Sequence, residues 1–197
     1  MSASTRQFNI ELYHEHLEEA SLLYEQHLAY VHDPELKWID LDNWEERFEA
    51  HIDALVVGGD LALEVCKERC AGGDFGELHA AIRVFCRQDR PDLVYAVLQS
   101  IDAAEEPIVQ AVIDALKIEC PHTWHDDLLR IMLGKRKELV PALAETLAYR
   151  RAPVEETLLR VLPNCDEPAL PRVLRALGRV GGEPGRSALA PHLRTEN

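Results

Sequence analysis

Apolar residues recur every three or four positions along almost the whole chain. Tyr13, Leu17, Ala20, Tyr24, Leu28 and Val31 follow a 4-3-4-4-3 spacing, which predicts one long amphipathic helix. Asp33-Pro34 closes it, because the residue before a proline avoids the α region. Asp42 offers an N-cap for a second helix, NWEERFEAHIDALVV, with glutamates in its first turn. Gly58-Gly59 interrupts, Asp60 caps again, and LALEVCKERCA runs to Gly72-Gly73. No segment combines β-branched residues, alternation and hairpin turns, so no strand is expected.

From Asp74 the pattern repeats. Leu78, Ile108, Leu139 and Ala169 stand in register at spacings of 30, 31 and 30. Ile82, Val112, Leu143 and Val173 then align, as do Cys86, Leu116, Leu147 and Leu177. Each of these helices is followed by a turn and a second apolar helix, carrying Leu93/Val97, Leu128/Met132, Leu158/Leu162 and Leu189/Leu193. Pro141 and Pro171 share one offset, where proline bends a helix or starts it. The expected fold is all-α: an α-solenoid of four HEAT-like helix pairs over 74–195, packed as one continuous domain behind an N-terminal three-helix segment over 7–72. Leu189 and Leu193 remain apolar in the last pair, which leaves self-association through that end open.

Two further motifs carry a resemblance. His16, Glu18, Glu19, Ala20 and Leu23 form an H-x-E-E helix, and Arg47, Ala50, His51, Asp53 and Leu55 an R-x-x-A-H-x-D-x-L helix. In these the chain resembles an uncharacterised proteobacterial family of HEAT-repeat-like proteins. Tyr24 and Ala54 depart from that pattern, where tryptophan and glycine are usual. The resemblance implies a repeat protein, and an accessory of a bacterial type VI secretion system is its most concrete version.

Charge narrows the partners. The net charge is −14, distributed as −11 over residues 1–73, −6 over 74–134 and +3 over 135–197. Such a chain repels phosphate backbones over most of its length, so nucleic acid is not an expected partner. Lys135, Arg136, Lys137, Arg150, Arg151, Arg172, Arg175 and Arg179 form the candidate partner surface, if they share a face. Charge reversal of Arg150 and Arg151 would then weaken capture and leave thermal stability nearly unchanged. No apolar run is long enough to span a membrane, and MSASTRQFNIELYHEH lacks the apolar core of a secretory signal. Cytoplasmic residence is the expectation. Five cysteines without a C-x-x-C pair fit small core residues in a reducing compartment.

Three clusters are chemical candidates. Glu11-x-x-His14 is half of a di-iron E-x-x-H pattern, but Phe48 occupies the place of the second glutamate before His51. Cys120, His122, His125 and Asp126 crowd a helix–helix turn without a distant second ligand pair. Glu18, Glu19, Arg47 and His51 are read instead as a structural polar cluster, with a carboxylate of the first helix meeting Arg47 or His51 of the second. No nucleotide-binding or nucleophile motif is present. The function expected is therefore non-catalytic: a protein–protein interaction module or adaptor with no cofactor, binding another protein through the solenoid's concave face. A metal-dependent protein or enzyme using the His/Glu/Cys clusters and a HEAT-like nucleic-acid binder are the alternatives.

Overall fold

The computed structural model describes residues 3–31 and 33–193. Among these, all regular structure is helical: α1 (Ala3–Tyr30), α2 (Asp42–Val57), α3 (Gly59–Gly72), α4 (Phe75–Arg87), α5 (Pro91–Ser100), α6 (Glu106–Glu119), α7 (His125–Met132), α8 (Val140–Tyr149), α9 (Glu155–Val161), α10 (Leu170–Val180) and α11 (Glu183–Leu189). Short 3₁₀ turns stand at Trp38–Leu41, His122–Trp124, Lys137–Leu139 and Leu162–Asn164. The chain divides into two compact units, one up to Ser100 and one from Ile101. The first of the four helix pairs, α4 and α5, belongs with the three helices before it.

In the first unit α1 packs against α2, α3 and α4. Leu17, Ala20 and Tyr24 of the apolar stripe are buried, joined by Leu23 and Ser21; Val31 lies past the helix end and is exposed. Each large aliphatic side chain so buried contributes about 1.5–3 kcal/mol. The helix α4 is the most deeply buried, from Gly76 through Cys86, and takes Glu77, His79 and Arg83 inside with it. A capping box starts it: the Asp74 carboxylate accepts the Glu77 N–H at 2.7 Å, and the Glu77 carboxylate accepts the Asp74 N–H at 3.0 Å. Ser21 of α1 donates its hydroxyl to the same Asp74 carboxylate at 2.7 Å. Here the two backbones approach so closely that a Cβ on Gly76 would stand 2.9 Å from the Ser21 Cα. Asp60 does not recap the third helix; Gly58 holds that position, and Gly59 turns the chain at φ +58°.

In the second unit α8 packs against both α6 and α10. The helix α7 rests on α8, and α9 and α11 rest on α10 and on each other. Two of the columns read from the sequence are buried throughout the chain: Ile82, Val112, Leu143 and Val173, and Cys86, Leu116, Leu147 and Leu177. The first column is mixed, with Leu78 and Leu139 buried and Ile108 and Ala169 half-buried. Pro141 and Pro171 start helices rather than bend them, and Pro107 does the same for α6; each is the second residue of its helix, where its missing N–H costs nothing. Glu155 of α9 caps α11, accepting the N–H groups of Gly182 at 2.6 Å and Gly185 at 2.9 Å.

Candidate interaction cleft

Polar links in the first unit differ from the expected set. Glu18 is exposed and meets Arg69 of α3 at 3.2 Å, not Arg47 or His51. Helical phase explains this: two positions beyond His16 the side chain has rotated about 200° away from α2. Arg69 also donates to the buried carboxylate of Glu77, from Nε at 2.7 Å and from Nη2 at 2.5 Å. The register-fixing ion pair thus joins α3 to α4. Glu19 and Arg47 are exposed. His51 meets His16 of α1, Nδ1 to Nδ1 at 3.0 Å. Burial holds the His51 imidazole below its ordinary range, the neighbouring His16 adds to this, Glu19 opposes it and Arg47 assists it.

A second polar system in this unit was not foreseen. Glu49 of α2 accepts from Arg83 at 2.6 Å and from Arg87 at 2.5 Å, and Arg87 also reaches Asp53 at 2.7 Å. Arg83 lies over the Phe48 ring, and the buried His79 stacks on Tyr24 with centroids 3.8 Å apart. The i, i+4 spacing of Arg83 with Arg87 and of Glu49 with Asp53 was the available signal.

The turn at 120–127 places His122 and His125 edge to face, with centroids 4.9 Å apart. Cys120 is buried, its thiol donates to the Pro121 carbonyl, and burial pushes its pKa to about 11. Cys66 and Cys70 are pushed to about 12, again first by burial. Thiols so raised are protonated at neutral pH. Among the described residues no group of three or more His, Cys, Asp or Glu side chains is placed to hold a metal ion.

The expected basic surface is dispersed. Arg150 donates to the carbonyls of Lys117 and Ile118 at 3.3 and 3.1 Å, closing the C-terminus of α6. Arg151 donates to the Arg179 carbonyl at 2.6 Å, at the C-terminus of α10. Arg179 itself lies over the Tyr149 ring, 4.6 Å from its centroid. Arg175 turns back to the Pro171 carbonyl at 3.4 Å. Arg136 reaches the Ile101 carbonyl at 2.8 Å and Glu138 at 2.6 Å. Arg172 pairs with Glu106 and stands 3.9 Å from Glu145, which in turn takes Lys117 at 2.6 Å. Lys135 and Lys137 precede α8 and Arg150 and Arg151 follow it, so about 15 Å of helix separates the two groups. Arg136, Arg150, Arg151 and Arg172 tie separate segments together; Lys135 and Lys137 are exposed and make no such bond among the described residues.

What the second unit does present is a half-open cleft of about 730 Å³. Three helices begin at it, through Glu106 and Val109 of α6, Val140 to Ala142 of α8, and Arg172 of α10. Two helices end at it, through Met132 of α7 with Leu133 just after it, and Arg160 and Val161 of α9. The floor is apolar: Val109, Met132, Val140 and Ala142 are buried, and Leu133 and Val161 stand higher on the wall. Lys137, Glu138, Arg160, Asp166 and Arg172 ring it. The expected periodicity placed Met132 in the core, yet no sequence feature foretold that the core opens there. The last expected apolar pair divides, with Leu189 half-buried and Leu193 exposed. Among the described residues no helix is long and apolar enough to cross a membrane. No family model, curated protein or solved structure matches the chain.

Proposed function

We propose that the chain is a non-catalytic protein-interaction module, and that the cleft of the second unit takes a segment of its partner. The cleft carries this reading. It offers an apolar floor walled by helix ends and ringed by charge, the usual composition of a recognition groove. The packing of α8 on both α6 and α10, of α7 on α8 and of α9 and α11 on α10 supports HEAT-like helix pairs as its frame. Cys66 and Cys120 are buried among apolar side chains of the helix packing, which supports a structural role for those two thiols. The resemblance at residues 14–57 supports an accessory of type VI secretion as the setting. Differential capture tests the reading. Leu133→Glu, at a cleft residue that is 42% exposed, abolishes recovery of a partner that wild type and Val57→Glu both recover. Equal recovery by all three proteins overturns it.

A further inference from the structure

Resting on that reading of the cleft, we infer the chemistry of its occupant: a peptide segment with one or two carboxylates beside apolar side chains. Most charges at the rim are already engaged. Glu106 is paired with Arg172, Glu138 with Arg136, and Asp166 accepts the Ala169 N–H at 3.0 Å. Arg172 is engaged by Glu106 in return and faces Gln110 at 3.4 Å. Lys137 and Arg160 are different. Both line the cleft, both are exposed, and neither side chain has a hydrogen-bond or carboxylate partner among the described residues. The rim therefore presents two cations without a partner against one carboxylate, Asp166, that no described cation neutralises, and the balance is positive.

The start of α6 acts in the same direction. It has no side-chain cap on its first N–H groups, and Glu106 and Val109 near that start line the cleft, whereas the first N–H of α8 is already bonded to the Lys137 carbonyl. The partial positive charge of α6 adds to that of Lys137 and Arg160 over a floor of low polarizability. A carboxylate at the rim gains from all three sources. The floor of Val109, Met132, Val140 and Ala142 then calls for Leu-, Ile-, Met- or Phe-like anchors beside it. Nucleic acid fits poorly: none of the lining residues is aromatic, so no base has a stacking surface, and the whole chain carries −14.

Selection from a random peptide library displayed on phage tests this. The full chain is the bait, and each enriched peptide is titrated against wild type, Lys137→Glu/Arg160→Glu, Lys137→Ala/Arg160→Ala and Leu133→Glu. Circular dichroism melts confirm that the variants, all at exposed positions, fold. The inference predicts enrichment of Asp or Glu next to large apolar residues. It also predicts a loss of about ten-fold or more in affinity on charge reversal, a smaller loss on neutralisation, and loss with Leu133→Glu. Apolar peptides that lose binding with Leu133→Glu yet ignore both double variants overturn the charge inference and leave the cleft reading intact. Peptides indifferent to Leu133→Glu, or no enrichment, overturn both.

Discussion

His16 of α1 and His51 of α2 share one hydrogen bond, Nδ1 to Nδ1 at 3.0 Å. One ring must donate and the other accept, so the link requires at least one neutral imidazole. Burial and the neighbouring His16 lower the His51 pKa below its ordinary 6.5, against Glu19 and with Arg47. A lowered folded-state value means that the unfolded chain binds the proton more readily. The stabilisation is then full above about pH 6.5 and is lost as pH falls through the lowered value. Thermal melts from about pH 7.5 to about pH 5.5 show a falling Tm, and His51→Gln flattens that slope. His125 in the second unit is lowered by burial too, so part of the slope remains in the variant. A slope identical in wild type and His51→Gln refutes the assignment.

Arg69 separates two kinds of ion pair. Its partner Glu77 is 2% exposed, whereas Glu18 projects into solvent. Removing the arginine leaves a buried carboxylate with only the Asp74 N–H, and Arg69→Ala is expected to cost about 2–4 kcal/mol, less than a fully buried pair since Arg69 is partly exposed. Glu18→Ala is expected to cost under about 0.5 kcal/mol, as exposed pairs do. Urea denaturation of the two variants checks the contrast; similar losses contradict it.

Gly76 marks where α4 crosses α1. A methyl there would meet the backbone of Ser21, with its Cα and carbonyl oxygen both at 2.9 Å, and no flexible side chain can yield. Gly76→Ala is expected to destabilise by about 1–3 kcal/mol. At Gly59 the added Cβ meets nothing within 4 Å, so Gly59→Ala costs only the strain of φ +58°, about 1 kcal/mol. Chemical denaturation ranks the two, with Gly76→Ala the lower in stability.

Arg150 closes α6 by bonding two of its last carbonyls. Arg150→Glu removes those bonds and sets a carboxylate against the negative end of the helix. The expected loss is about 1–3 kcal/mol, in contrast to the unchanged stability anticipated for a surface cation. A melt coincident with wild type overturns this role.

These positions show what the chain's pattern discloses. Ile82, Val112, Leu143 and Val173 are buried as their common register implies, because a 3.6-residue period states directly which face of a helix meets its neighbour. The helices, their order and their breaks at Gly58-Gly59 and Gly72-Gly73 were legible for the same reason. Partners for charged groups were not. Glu18 carries no mark that selects Arg69 over Arg47, since the choice depends on a rotation of α1 that α3 and α4 settle together. Arg150 likewise looks like any surface cation until α6 and α8 are side by side. The cleft was hidden for a further reason: it forms where helices that are each well patterned fail to meet at their ends.

The central claim is that the cleft is where a partner is held, and a photo-crosslinking residue placed at Leu133 tests it most directly. The same residue at Val57, 87% exposed on the first unit, is the control. In extract of the native host, position 133 is predicted to yield a discrete crosslinked partner that position 57 does not, and Lys137→Glu/Arg160→Glu to reduce its yield. Crosslinks of the same identity and yield from both positions, or none from position 133, would contradict the account.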